Sequence, residues 1–197
     1  MPEVRAAGRI QARKISDGYL VAFDHGEFGG SLWWYDATGE SRQRLWDAHV
    51  VGFVEIELPG RRVLAGVAEG LDHLGHDEGR LAVVERGASG AIEVRKLQDL
   101  TSAPRVVGPS NAAGAVVATG DGVIRIDRRG VVQNLASVDM RELYPQSIVE
   151  TSGLILVGMR RYLIEIDPQV RPPRISWFTD ASCRTFRPVG PASCECR

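Results

Sequence analysis

The chain of 197 residues is 44% hydrophobic, enough for one sizeable core or for several small units in series. Its 24 basic and 25 acidic side chains nearly cancel, which argues against a nucleic-acid binder acting through a net basic face. No apolar stretch approaches the roughly 18 residues that cross a bilayer, and MPEVRAAGRIQARK lacks the apolar centre of a secretory signal, so no membrane partner is expected. The expected location is cytoplasmic, or secreted if a leader upstream of this start is missing.

In chain order, the first predicted strand is RIQARKI (9–15), followed by YLVAF (19–23), SLWWYD (31–36) and the end of ATGESRQRLW (37–46). A second set comprises VVGFVEIE (50–57), RVLAGVA (62–68), RLAVVE (80–85) and the apolar run within RGASGAIEVRKL (86–97). A third comprises PRVVGPS (104–110), AVVATG (115–120), GVIRID (122–127) and RRGVVQNLA (128–136). ASVDMRELY (136–144) is the best candidate for a short helix, with a loop as its alternative. The fourth set is PQSIVE (145–150), LILVG (154–158), YLIEID (162–167) and, more loosely, PQVRPPRISWF (168–178). These runs are rich in β-branched and aromatic residues, and none carries the i, i+3, i+4, i+7 apolar pattern of a helix.

The four sets repeat one another. Leu32, Leu81, Val123 and Leu163 occupy the same place, each followed four residues later by an acid, Asp36, Glu85, Asp127 or Asp167, at spacings of 49, 42 and 40 residues. Such a period suits a four-stranded meander and is too long for one hairpin. The acids are expected to accept backbone N–H groups of the turn that follows. The pattern predicts an all-β, β-propeller-like array of about four four-stranded antiparallel blades, with a two-sheet sandwich or barrel as the structural alternative. It places a single domain over 1–182 and an irregular, Cys-containing tail over 183–197.

Over roughly residues 9–180 the chain resembles β-propeller repeat proteins in general. It lacks the Gly-His and Trp-Asp pairs of the WD40 class and the double glycine with spaced Tyr and Trp of the kelch class, so no named propeller family lends it functional residues. The phrase GEFGGSLWWYD is similar to segments of uncharacterised bacterial propeller-like proteins, which bears on fold alone.

The connection between second and third strands differs among the sets. It is DHGEFGG (24–30) in the first and AEGLDHLGHDEG (68–79) in the second, but shrinks to TGDG and MRR in the third and fourth. In a propeller these connections emerge on one face with the blade-to-blade loops, and loops on a rigid scaffold are where binding groups sit. The expected ligand or partner residues are therefore Asp24, His25, Glu27, Asp72, His73 and His76, with Arg160 and Arg161 suited to an anionic ligand or an acidic surface. Three of the four histidines lie in these two connections. His73 and His76, spaced H-x-x-H, with His25 and Asp77, would form a mixed N/O site for a divalent metal, although no cofactor is required by the pattern. A solvated acidic loop whose glycines serve turns is the simpler reading of the same residues.

No Ser, His and acid order forms a triad, and GASG and GDG precede no helix that would cradle phosphate. The function expected is thus a non-catalytic binding or scaffold propeller engaging an unidentified protein or small ligand through the enlarged loops at 24–30 and 68–79. The alternative is a metal-dependent hydrolase or lactonase-like propeller enzyme, with ligands from several blades. Whether the chain is an enzyme stays open at this point. Cys183, Cys194 and Cys196 read as an incidental or structural tail, with a zinc site or a Cys183 bridge to Cys194 or Cys196 as alternatives.

Overall fold

The computed structural model describes residues 8–73 and 76–179, and the backbone of 183–186 and 194–196. The fold is all-β, built from four antiparallel four-stranded sheets that follow one another in chain order. Two compact units divide the chain, the first comprising Met1–Pro104 and Arg128–Gly130, the second Arg105–Asp127 and Val131–Arg197.

In the first unit, β1 (Arg9–Ile15), β2 (Gly18–Asp24), β3 (Gly30–Tyr35) and β4 (Arg42–Trp46) form one meander, and β5 (Val50–Val54), β6 (Arg62–His73), β7 (His76–Arg86) and β8 (Ile92–Leu100) the next. Alternation sets which side chains enter the core: Leu20 and Ala22 on β2 are buried while Tyr19 on the same strand is exposed. Leu32 lies opposite Ala22, so a large side chain meets a small one across the pair. Leu20, Leu32, Val50, Val67 and Val84, drawn from both sheets, share one core, lined by Trp34, Trp46 and Phe53. Trp33 projects to the other side of β3, where the Arg42 and Arg44 guanidiniums stand 5.6 and 5.9 Å from its ring centre.

In the second unit, β9 (Pro104–Val107), β10 (Ala115–Thr119), β11 (Gly122–Ile126) and β12 (Val132–Ser137) form the third sheet, and β13 (Pro145–Thr151), β14 (Leu154–Met159), β15 (Tyr162–Asp167) and β16 (Arg174–Thr179) the fourth. Its core joins Val116, Ala118 and Val123 to Ile148, Ile155, Val157, Ile164 and Ile166, with Met140 wholly buried. The segment expected as a short helix holds only a 3-10 turn, Arg141–Leu143, whose Met140 and Leu143 plug the core. Two further strands, β17 (Cys183–Phe186) and β18 (Cys194–Cys196), pair antiparallel. The side chains of the three cysteines, and with them the zinc and disulfide expectations, lie outside the described residues.

The acids that end the third strands largely behave as turn acceptors. Asp127 Oδ1 receives the Val131 N–H at 2.8 Å, and Asp167 Oδ1 the Gln169 N–H at 3.1 Å. Asp36 accepts from the Thr38 hydroxyl at 3.2 Å. Desolvation pushes its carboxyl up, but hydrogen bonds from Ser41, Thr38, Gly39 and Glu40 outweigh that and hold it below its ordinary range. Glu85 differs: its Oε1 faces Arg95 Nε at 3.0 Å and Arg61 Nη1 at 3.4 Å, so the longer side chain forms ion pairs instead.

Candidate functional site

The connection between β2 and β3 is a compact 3-10 turn over Gly26–Phe28. The His25 N–H donates to the Gly29 carbonyl at 2.9 Å, and the Gly29 N–H donates to the Gly26 carbonyl at 3.0 Å. Gly26 and Gly29 have φ of 60° and 101°, which side chains with a Cβ rarely adopt. Gly30 meets another demand, because a Cβ there would collide with the Ala48 carbonyl. Glycine is thus required by turn geometry and close approach, as the sequence suggested.

Asp24 closes this turn from within. Its Oδ1 accepts the Gly26 N–H at 3.0 Å and stands 3.0 Å from His49 Nδ1. His49 is the one histidine that sequence reading left out of the candidate site; it lies in the blade-to-blade connection just before β5. The rule that such connections share a face with those between second and third strands was enough to include it. Its carbonyl accepts the Gly70 N–H at 3.0 Å, tying the connection to β6. Glu69, opposite Val50 on the adjoining strands, is only 7% exposed, with Arg80 Nε 3.6 Å from its Oε1. Burial pushes the Glu69 carboxyl above its ordinary range, against the opposing pull of Arg80 and His49.

The second connection is not the loop expected at 68–79. Strand β6 continues to His73 and β7 begins at His76, with Gly70 opposite Gly79, Leu71 opposite Glu78, Asp72 opposite Asp77 and His73 opposite His76. Strand β5 accompanies β6 only to Glu69, and β8 accompanies β7 only to Gly79, so the end of the hairpin is a two-stranded ribbon. Asp77 fastens it: its carboxylate accepts from the Ser102 hydroxyl at 2.8 and 2.9 Å and from the Ala103 N–H at 2.6 Å.

The structure brings two of the expected residues from different connections together. Glu27 Oε2 lies 3.1 Å from His73 Nε2, both half-exposed, joining the 3-10 turn to the ribbon. His25 caps the start of the turn, and His76 is exposed on the far strand of the ribbon. The set His25, His73, His76 and Asp77 is not gathered: among the described residues no three His, Cys, Asp or Glu side chains form a group that could hold a metal ion. Asp77 already has both oxygens engaged. Beside Glu27, Phe28 is 84% exposed, a feature that its place between a charged residue and two glycines disguised in the sequence.

Arg160 and Arg161 belong to the second unit, in the tight turn between β14 and β15. The Arg160 guanidinium lies over the Tyr144 ring, 4.9 Å from its centre. In the third sheet the corresponding turn directs Asp121 inward, where its Oδ1 accepts from the buried Thr119 hydroxyl at 2.7 Å.

Fold and site together define an all-β protein of blade-like sheets whose first unit carries an acidic, histidine-bearing ribbon and turn. No protein-family model matches the chain, and no curated protein matches it. Among the described residues no helix is long and apolar enough to cross a membrane.

Proposed function

We propose that the protein is a non-catalytic binding module that holds a protein partner with the 24–30 turn and the 70–79 ribbon of its first unit. The observation that carries this reading is the Phe28 side chain, a large aromatic group set out in water beside the Glu27 and His73 pair. An exposed aromatic on a braced turn offers a partner pocket apolar area at little ordering cost, while a polar rim sets orientation. The ribbon and its border carry Glu27, Glu78 and Asp99, all more than half exposed, with Arg80 against the last two and Lys96 against Asp99. A partner with an apolar pocket bordered by Arg or Lys would fit it.

The test is a photo-crosslinking phenylalanine analogue placed at position 28, in cells that make the protein. A discrete crosslinked species is expected there and not with the same probe at Val131, which is exposed on the second unit. Replacing Glu27 and His73 together by alanine should reduce its yield several-fold. No species at position 28, or equal labelling from both positions, would overturn the reading.

A further inference from the structure

The first and fourth sheets each bury one face and leave apolar groups in water on the other. In the second sheet Leu81 to Val84 are buried in succession, and in the third Ala115 to Ala118, so both faces of those sheets are covered. In the first sheet Leu20, Ala22 and Leu32 are buried, whereas Ile10 and Tyr19 on the other side are exposed. In the fourth, Ile155, Val157 and Ile164 are buried, whereas Val149, Leu163 and Phe178 are exposed.

Strand register joins these exposed groups into two faces of different character. On the first sheet Lys14 lies opposite Tyr19, Tyr19 opposite Tyr35 and Tyr35 opposite Arg42, and one pair further along Val21 lies opposite Trp33 and Trp33 opposite Arg44. This face is aromatic and basic, with no acid at those positions. The Trp33 Nε1–H already donates to Ser31 Oγ at 3.0 Å, so its ring can be covered without stranding a donor. On the fourth sheet Val149 lies opposite Leu156, Leu156 opposite Glu165, and Leu163 between Gly158 and Phe178. Asp167 on this face is bonded to Arg174. Glu165 is half-buried, with no cation partner among the described residues.

We propose that a second copy of this chain covers these faces, the first sheet of each copy packing on the fourth sheet of the other. The faces complement each other in charge: Lys14 and Arg42 are uncompensated on one, Arg44 being held by Asp47, and Glu165 is uncompensated on the other. Neither face complements itself, since two first sheets would set cations against cations and two fourth sheets carboxylate against carboxylate. Arg42, whose guanidinium stands over the Trp33 ring, is the cation that meets Glu165. Area agrees as well. Strands of five to seven residues, four to a sheet, spaced about 4.8 Å and rising about 3.3 Å per residue, present a face of roughly 400 Å². Two such contacts would cover roughly 800 Å² on each copy, the size of a stable interface.

The experiment is size-exclusion chromatography with light scattering on the full chain over a range of concentrations. The parent should run as a dimer. Tyr19→Glu and Leu163→Glu, both at exposed positions, should each give a monomer with the parent's β-sheet circular dichroism, because every contact needs one face of each kind. Mixed in equal amounts, the two variants should form a heterodimer through the one pair of faces left intact. Arg42→Glu or Glu165→Arg alone should raise the dissociation constant about tenfold, and the two in one chain should restore it. This charge exchange carries the test if Tyr19→Glu or Leu163→Glu loses the β-sheet spectrum. A parent that is monomeric throughout, a dimer that survives Leu163→Glu, or folded variants that stay monomeric when mixed would overturn the proposal.

Discussion

The two units use the connection between second and third strands in opposite ways. In the first, it grows: a glycine-framed 3-10 turn in one sheet, and in the next a pair of strands of 12 and 11 residues that leave their neighbours behind. In the second unit both connections are tight, with Gly120 and Asp121 or Arg160 and Arg161 at their tips. Growth at this place leaves the sheets intact because the added residues pair with each other. The difference shows that the repeated core and the chemistry at its ends vary independently.

The sharpest way to break that comparison is through residues the repeat treats as equal. Leu32 and Leu163 hold the same register, opposite Ala22 and Gly158, yet Leu32 is fully buried and Leu163 is 39% exposed. Leu32→Ala should cost about 3 kcal/mol in urea unfolding and Leu163→Ala about 1 kcal/mol or less. Equal losses would mean that the two environments do not differ as described.

A smaller contrast lies in the two acids beneath these connections. Asp77→Ala removes the acceptor of the Ala103 N–H and one acceptor of the Ser102 hydroxyl, both in buried residues, and should cost about 2 kcal/mol. Asp121→Ala should cost about 1 kcal/mol, because the Thr119 hydroxyl keeps a second acceptor in the Gly122 carbonyl at 3.1 Å. Denaturation midpoints at a common slope measure both. A larger loss in Asp121→Ala would reverse the assignment of the ribbon's anchor.

The smallest effect concerns Glu69 and depends on pH. Its folded carboxyl keeps its proton to higher pH than the unfolded chain does, so the folded state is penalised once pH rises above the ordinary glutamate range of about 4. Glu69→Gln removes that penalty. The variant should match the parent near pH 4 and become modestly more stable as pH is raised toward 7 and through the folded-state value. An advantage that grows on acidification would have the wrong sign and would refute the burial argument.

The sheets were legible because each strand with one buried face alternates, as Leu20 and Ala22 do, and because turns punctuate the alternation. The ribbon was not. Both its faces meet water, so LDH and HDE carry no apolar alternation, and Gly70 and Gly79 read as loop residues when they are paired strand positions. His49 had no periodic signal of its own; only its position between sheets, beside the Asp24 turn, gives it a role. The alignment that found Leu163 captured its partner on β14, but β15 pairs with β16 without the register shift that follows Leu32, Leu81 and Val123, and regular alternation puts Leu163 on the face opposite buried Tyr162 and Ile164. For the candidate site, Glu27 and His73 were readable as members of two connections on one face, whereas Phe28 required seeing how far the turn projects.

The ribbon beyond Glu69 and Gly79 also bears on how copies of the protein behave in concentrated solution. Among the described residues, 71–73 and 76–78 pair with each other and with no further strand, so their outward backbone groups are a template on which another chain could add. Asp72, Asp77, Glu78 and the two histidines put charged and polar groups along those strands in place of flat apolar ones. The acidic character that first suggested chemistry therefore also serves as a guard against aggregation, and neutralising it should shorten the protein's shelf life before it alters the fold.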